Sequence, residues 1–510
     1  MPLHGLFGFV FWAFLTALIW APFPLGSNRP WAAAFLSLWL WGLLLVLVVG
    51  GAMFSGESAK WFRRFKKAWL PLTMLAGFCG ILALQLVPWW PDTLRAAVLP
   101  LSIPPEAATG QGPFTLDAAA TSRYLISTLG FCAAFLLVLM LCDTRARIQL
   151  LLGTLLAGGV LQAIVAVVLV ATAGHYQYFF YEFRQSGRAT GTFPNPDHLA
   201  GYMELCLAAG IGLMVSQFQG SAETKGAGRK SRRQEFLLQG LQFLLSTKML
   251  VRLMLVILVI TLVMTHSRMG NAALLAALVA TCVTIMIASP RLRRPVSWLL
   301  ASMLLIDVIV LGQWVGLDKV VERVSDTAVT QVGREEAGSL DAARNYREET
   351  LEARMYAPRA AWDLAMDAPW SGHGGGTFFA AFPPFKTPNV YPQYFEHAHN
   401  DYSEVAADTG LAGLVLWLGT GIAGCLLALR MLSDTQPRIR RGVGVAAVLA
   451  ALSLGLHSSV DFNLHIFANA LGFTCLLSLV WAADATDSTV LRSSIVSGRS
   501  SVRSKLASHE

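Results

Sequence analysis

The sequence predicts an all-α polytopic membrane protein, because apolar residues dominate its composition and recur in segments of membrane-spanning length. Hydrophobic residues make up 55% of the 510 residues, whereas charged residues make up only 14%. A helix needs about 20 apolar residues to cross the hydrocarbon core, and the pattern predicts about twelve transmembrane helices. They lie near residues 5–22, 31–53, 68–88, 123–142, 148–172, 198–216, 249–265, 270–288, 296–315, 410–429, 442–460 and 466–483.

Lysine and arginine predict the orientation of these helices. The connections that face the cytoplasm carry most of the basic residues in membrane proteins. Here the basic clusters fall in alternate connections, at 60–67, 145–147, 225–248, 291–294 and 430–441. This pattern predicts that both termini are cytoplasmic and that residues 316–409 form one long outer loop. The basic residues of the cytoplasmic connections then account for most of the net charge of +8. We expect contact with membrane lipid and no nucleic-acid partner.

Polar side chains concentrate where this loop runs into a predicted span. The segment 397–404, His-Ala-His-Asn-Asp-Tyr-Ser-Glu, holds two histidines, an amide and two carboxylates. It could hold a metal ion, but His-x-His alone is a weak zinc signal. One of its histidines could also merely cap the following helix. A general base is the most economical interpretation, because histidine accepts a hydroxyl proton near neutral pH.

Two arginines at the outer ends of predicted spans suggest an anion site. Arg188 and Arg268 lie in short segments rich in glycine, serine and threonine. These side chains could simply extend to the membrane–water interface, since an unpaired charge in hydrocarbon is costly. A planar guanidinium also suits phosphate oxygens, so a lipid diphosphate would be a fitting ligand. The glycines of 372–376 could likewise cradle an anion. A flexible turn is favoured there, because no predicted strand precedes the segment and no Walker lysine follows.

Several segments together resemble the O-antigen ligase and O-antigen polymerase superfamily of bacterial envelope glycan enzymes. The resemblance rests on the order of these segments along the chain and on their predicted location on one side of the membrane. The segments are 188–202, 266–270, 359–362, 369–378, 397–402 and 410–413. It identifies residues 185–483 as an O-antigen ligase-like catalytic region. Residues 1–184 carry the first five spans, and 484–510 form a cytoplasmic tail that we expect to be disordered.

The resemblance implies a GT-C-type glycosyltransferase at the periplasmic face of the bacterial inner membrane. Such enzymes move a glycan from undecaprenyl diphosphate to an acceptor hydroxyl, with inversion and without a metal or other cofactor. The matching positions imply that His399 activates the acceptor and that Arg188 and Arg268 hold the donor diphosphate. His397, Asn400 and Arg359 match supporting positions.

Alternatives remain open at this stage. The acceptor could be lipid A-core, a growing exopolysaccharide or O-antigen glycan, or a protein hydroxyl. A membrane transporter of lipid or solute is the rival from another class. Transporters are rich in internal repeats and in helices broken at mid-membrane. Here the polar residues gather at the outer ends of the spans, which favours an enzyme.

Overall fold

The structure, a computed structural model, describes most of the helical part of the chain. The described residues are 2–53, 57–91, 93, 112–172, 175–178, 181–184, 187–217, 247–290, 293, 298, 301–302, 351–386 and 395–486. Most of the predicted span 296–315, the loop residues 316–350 and the tail 487–510 lie outside this part.

Helices dominate the described residues. They are α1 (Pro2–Trp20), α2 (Pro30–Met53), α3 (Glu57–Lys67), α4 (Trp69–Gln85), α5 (Ala118–Leu141), α6 (Arg145–Thr172), α7 (Pro196–Ser216), α8 (Thr247–Met264), α9 (Arg268–Ala288), α10 (Leu351–Asp367), α11 (Phe378–Ala381), α12 (Asp401–Arg430), α13 (Arg438–His457) and α14 (Phe467–Ala485). Short 3-10 turns lie at Leu25–Ser27, Pro383–Phe385 and Asn463–His465.

The prediction of a polytopic helical membrane protein is confirmed. Eight of the described helices are long and apolar enough to cross a membrane, and α3 with α4, bent by 78°, could supply a ninth. Helices α1 and α8 coincide with two further predicted spans but have shorter apolar stretches. The predicted number of twelve is not reached within the described residues.

One short β-hairpin accompanies the helices. A two-stranded antiparallel hairpin, β1 (His175–Tyr178) and β2 (Tyr181–Arg184), follows α6. Its sequence alternates aromatic with polar residues, a composition that favours strands over helices.

Helix α7 forms the centre of the bundle. Every residue from Asp197 to Ser216 is buried. It packs most extensively against α13. Small residues let the two backbones approach closely, since a Cβ at Gly212 would lie 2.5 Å from the carbonyl oxygen of Gly442. The polar residues at the start of α7 are therefore held in a fixed position.

Helix α12 is broken at Gly410, and the break separates a polar segment from a membrane span. Gly410 has φ +70°, a conformation that favours glycine, and its position leaves no room for a side chain beside the carbonyl of Trp370. The preceding segment, Asp401–Thr409, is almost entirely buried. Its carboxylates, Asp401, Glu404 and Asp408, recur every three or four residues and so share one face of the helix. The predicted start of a span at 410 coincides with this break.

The described part of the predicted long loop packs over that polar segment. Helix α10 contributes a row of small and apolar residues to a second core, which also includes residues of α11 and α12. Within this part of the loop the chain is helical from Leu351 to Asp367. Residues 341–350 lie outside the described part.

Candidate functional site

A buried carboxylate that the sequence did not single out lies at the centre of the site. Asp461 Oδ1 is 3.7 Å from Nδ1 of His399 and 3.8 Å from Nε2 of His198. Its Oδ2 is 3.9 Å from Nε2 of His457. The backbone N–H of Phe462 donates to Oδ1 at 2.9 Å. Residues from α7, α13 and the segment before α12 thus meet at one side chain.

Asp461 carries a negative charge at neutral pH. Burial alone would raise the pKa of its carboxyl, but the neighbouring His198, His399 and His457 outweigh burial and hold that pKa below its usual range. A carboxylate beside Nδ1 of His399 favours a proton on that nitrogen. Nε2 is then left to accept a proton from a substrate. The arrangement has the parts of a general base and its orienting group.

The cap of α12 is the residue after His399. The side-chain oxygen of Asn400 accepts hydrogen bonds from the N–H groups of Tyr402 and Ser403, at 2.9 and 3.1 Å. Its amide also donates to the carbonyl of Ser459 at 2.8 Å. The alternative in which a histidine caps this helix is therefore wrong. His399 itself has φ +51°, a left-handed conformation that non-glycine residues adopt at a cost.

His397 faces a different part of the molecule. Its Nδ1 lies 2.6 Å from Oε1 of Glu404, whose other oxygen accepts from the N–H of Ala398 at 2.8 Å. The His397 ring stacks on Phe462 with ring centres 4.1 Å apart. The ring of His399 meets Phe462 edge-on at 5.1 Å. Phe462 therefore separates the two histidines of the motif.

The carboxylates of α12 are neutralised by His465. Nδ1 of His465 is 2.6 Å from Asp401, and Nε2 is 3.5 Å from Glu404. Burial lowers the pKa of His465, but Glu404 and Asp401 outweigh burial and raise it to about 10. The imidazole is thus protonated at neutral pH and forms an ion-pair cluster with the carboxylates.

The same cluster has the composition of a metal site. Single ligand atoms of Glu404, Asp408 and His465 lie within 4.8 Å of one another. A metal ion would first have to displace the proton from His465, since a protonated imidazole offers no lone pair. Its pKa of about 10 makes that displacement costly at neutral pH. The observed contacts therefore fit an ion-pair cluster better than a metal centre.

Arg188 is held in place at the same end of the bundle. Its Nε donates to the carbonyl of Thr265 at 2.9 Å, and a terminal nitrogen lies 3.1 Å from Oδ1 of Asp197. Asp197 precedes His198, which faces Asp461. A guanidinium has five N–H donors, so several remain for a ligand. The side chain is partly exposed, as ligand binding requires.

Arg268 opens α9 beside this cluster. Ser267 caps the helix through a bond from the N–H of Gly270 at 3.2 Å. A Cβ at Gly270 would lie 3.2 Å from the ring of His457, so the helix starts against the histidines around Asp461. Arg268 is exposed and makes no hydrogen bond or ion pair with another described residue. The helix N-terminus adds positive potential at this point.

Arg359 is not joined to the cluster. It lies exposed on α10 and has no hydrogen bond or ion pair within the described part of the chain. The flanking Ala357, Ala360 and Ala361 are buried. Arg359, predicted as a supporting residue, therefore makes no contact with His399 in the structure.

The glycine-rich turn donates hydrogen bonds to two internal side chains. The N–H of Gly376 donates to Oδ2 of Asp408 at 2.7 Å, and that of Gly375 donates to the side chain of Gln85 at 3.0 Å. Positive φ angles at Gly372, Gly374 and Gly376 allow this course. The segment is a turn, as predicted, and these two amides face protein groups.

Comparison with protein families now identifies part of the chain. Residues 253–418 match the family model described as O-antigen ligase. This region is similar to the O-antigen ligase family. The match confirms the resemblance to the O-antigen ligase and polymerase superfamily. A search of curated proteins found no match.

The matched region contains only part of the candidate site. Arg268, His397 and His399 lie within the matched residues, whereas Arg188 and Asp461 lie outside them. The sequence analysis also assigned no role to His198, His457 and His465. One signal was available: an aspartate and a histidine in the short turn 458–465, between two apolar spans.

Proposed function

We propose that the protein is a metal-independent, inverting glycosyltransferase that moves a glycan from undecaprenyl diphosphate to an acceptor hydroxyl. One observation carries the proposal: His399 lies against the charged Asp461 at the end of the bundle where Arg188 and Arg268 are found. The O-antigen ligase domain supports a lipid-linked glycan as substrate.

In the proposed reaction, Nε2 of His399 takes the proton of the acceptor hydroxyl as the oxygen attacks the anomeric carbon. A C–O bond forms to the acceptor, and the bond to the diphosphate breaks on the opposite face of the sugar. Asp461 stabilises the imidazolium, which then releases its proton to water. The diphosphate is already a good leaving group, so charge neutralisation matters most.

The two arginines supply that neutralisation. Arg188 is oriented by Asp197 and Thr265 before substrate arrives, so little side-chain freedom is lost on binding. Arg268 adds a second guanidinium at the positive end of α9. Together they take the part that a divalent cation plays in many nucleotide-sugar enzymes. Ligation to lipid A-core and polymerisation of an O-antigen or exopolysaccharide unit both fit this chemistry.

The proposed site belongs to the periplasmic face of the inner membrane, with both termini cytoplasmic. Helix α13 has Arg438, Arg440 and Arg441 at its start and His457 at its end. Its 20 residues separate the two by about 30 Å, the thickness of a hydrocarbon core. Basic residues of α3 likewise contact the end of α14, far from His465. A cysteine at Lys386 should react with an impermeant reagent from outside, and one at Lys230 only after the membrane is opened.

Transfer can be tested with purified protein in liposomes, an undecaprenyl-diphosphate glycan and candidate acceptors. We expect product formation that persists in chelator and stops in His399→Ala. The variant should still bind the donor, since the arginines remain. Activity that is lost with chelator and restored by Zn²⁺ would overturn the metal-independent mechanism. Full activity of His399→Ala would overturn the role of the base.

A further inference from the structure

A glutamate lies inside the membrane-spanning part of α7, and no step of the proposed reaction uses it. Glu204 is fully buried and follows the first residue of α7 by eight positions, which places it about 12 Å into the helix. A carboxylate at this depth is costly unless it is paired. Its partner is His457 at the end of α13, whose Nδ1 lies 2.7 Å from Oε1 of Glu204. The packing of α7 against α13 does not by itself require such a pair.

The second nitrogen of His457 faces Asp461. Nε2 lies 3.9 Å from Oδ2 of Asp461, whereas His399 approaches the other oxygen, Oδ1. Both nitrogens of the His457 ring are thus directed at carboxylates. A nitrogen without a hydrogen would turn its lone pair toward a negatively charged oxygen. The contacts therefore favour a hydrogen on both nitrogens, that is, an imidazolium with Glu204 as its counter-ion.

His198 is a weaker candidate for a positive charge beside Asp461. Its Nε2 lies 3.8 Å from Oδ1 of Asp461, and its ring is buried. Neither ring nitrogen has a hydrogen-bond partner among the residues that the structure describes. A charged imidazole at this place would lack the compensation that His457 receives from two sides.

The other charged groups at this end of the bundle leave that balance unchanged. Asp197 is paired with Arg188 at 3.1 Å. Arg268 begins α9, which starts against the ring of His457, but the side chain of Arg268 is exposed. His457 is therefore the charged imidazole that the surrounding contacts favour.

We propose that Glu204 and His457 are positioning residues that hold a positive charge behind Asp461. The inference rests on the proposed function, because it concerns the base of that reaction. A buried carboxylate favours an extra proton on any imidazole beside it. His399 must be without that extra proton when it accepts one from the acceptor hydroxyl. An imidazolium at the far oxygen neutralises Asp461, so that His399 stays neutral while its orientation is kept.

Chemical modification of His399 gives a test that does not require glycan transfer. Diethylpyrocarbonate reacts with a neutral imidazole, because an imidazolium has no free lone pair. His399 is partly exposed, so its rate of modification against pH reports when the ring loses its proton. The full-length protein in lipid nanodiscs is treated at a series of pH values, and modification at position 399 is measured by mass spectrometry. The variants compared with wild type are Glu204→Gln, His457→Gln and the control Asp367→Asn.

We expect the midpoint of modification to rise by about one pH unit in Glu204→Gln and in His457→Gln, the effect of one charge lost at this range. Glutamine keeps a hydrogen-bonding side chain but removes the ion pair, and without its counter-ion His457 gives up the extra proton. Asp367→Asn removes a carboxylate that is also paired with a buried histidine, His373, at 3.2 Å. The control should leave the midpoint unchanged. An unchanged or lowered midpoint in either site variant that folds, or an equal rise in the control, would overturn the inference.

The pH dependence of transfer separates this inference from the proposed function. The rise of the transfer rate with pH should move upward by the same amount as the midpoint of modification, with KM unchanged. A purely structural pair would lower the melting temperature and move neither. A shifted midpoint in a protein that transfers no glycan would refute the proposed function and leave the charge arrangement standing. Transfer with an unshifted midpoint in Glu204→Gln would refute the inference alone.

Discussion

The two histidines of one short motif are held in opposite ways. His397 is bonded to Glu404 at 2.6 Å, and 19% of its side chain is exposed. His399 lies 3.7 Å from Asp461, too far for a hydrogen bond, and is 30% exposed. The imidazole of His397 is thus held by a hydrogen bond within the protein, whereas that of His399 can still form hydrogen bonds with a substrate.

This difference suggests different tasks. A group that exchanges its proton with a substrate needs free bonding capacity, and such contacts often tighten only when substrate binds. A group that compensates a buried carboxylate needs a short hydrogen bond that is present with or without substrate. By this criterion we propose His399 as the reacting histidine and His397 as part of the framework. The following predictions test that division, from the largest expected effect to the smallest.

His399→Asn should lower the rate of transfer by about 10²–10⁴-fold, the usual contribution of a general base. Asparagine tolerates the left-handed backbone at this position, so the fold should persist. The rate is measured in liposomes, with thermal unfolding as the check on folding. A greater loss in His397→Asn than in His399→Asn would invert the division of tasks.

Asp461→Asn should reduce kcat by roughly 10–100-fold with little change in KM, because a positioning residue acts through His399. The pH dependence of the rate should shift as well, since the charge beside the imidazole is removed. Asp367→Asn is the matched control. Asp367 pairs with His373 at 3.2 Å, away from the reacting group, and its loss should leave the rate unchanged. Equal effects of the two substitutions would indicate a structural role for both.

Arg188→Lys and Arg268→Lys should each raise the donor concentration needed for half-maximal rate by about tenfold, since lysine keeps the charge but loses the bidentate fork. Donor titration measures the effect. Arg147→Lys, at a partly exposed ion pair with Asp143, serves as control and should behave as wild type. Unchanged donor affinity in both site variants would mean that these arginines only extend to the interface.

His397→Gln should lower the rate by less than about tenfold but reduce thermal stability, because Glu404 loses its 2.6 Å contact with the imidazole in a buried cluster. The melting temperature in detergent and the transfer rate are measured on the same preparation. A normal melting temperature with a large loss of rate would assign His397 to the reaction.

The pH dependence of stability should report on His465. Its pKa is raised in the folded protein to about 10, so its contribution to stability is complete below the unfolded value of about 6.5. That contribution is lost as pH rises from about 6.5 to 10. The melting temperature should therefore fall over this range. His465→Gln should be less stable at pH 6 and lose less on going to pH 10; an identical slope would contradict the ion-pair cluster.

Local sequence patterns predicted most of the described helices and singled out three residues of the candidate site. Apolar length located α2, α5, α7 and α12, because hydrocarbon thickness fixes that length. The motif 397–404 located His399, and the short loops located Arg188 and Arg268. Asp461 could not be assigned in this way. Its partners His198 and His399 come from distant parts of the chain, and packing of α7 and α12 against α13 brings them together.

The residues of the ion-pair cluster lie far apart in the sequence, which matters while the chain is being synthesised and inserted into the membrane. Asp401 is synthesised 64 residues before His465, the histidine that neutralises it. At 5–20 residues per second the interval is about 3–13 s. During that interval the polar start of α12 lacks its counter-ion and cannot settle among its apolar neighbours without a large electrostatic cost. Insertion of α13 and α14 therefore completes the site as well as the bundle, and a nascent chain arrested before residue 461 should be a preferred substrate for membrane proteases.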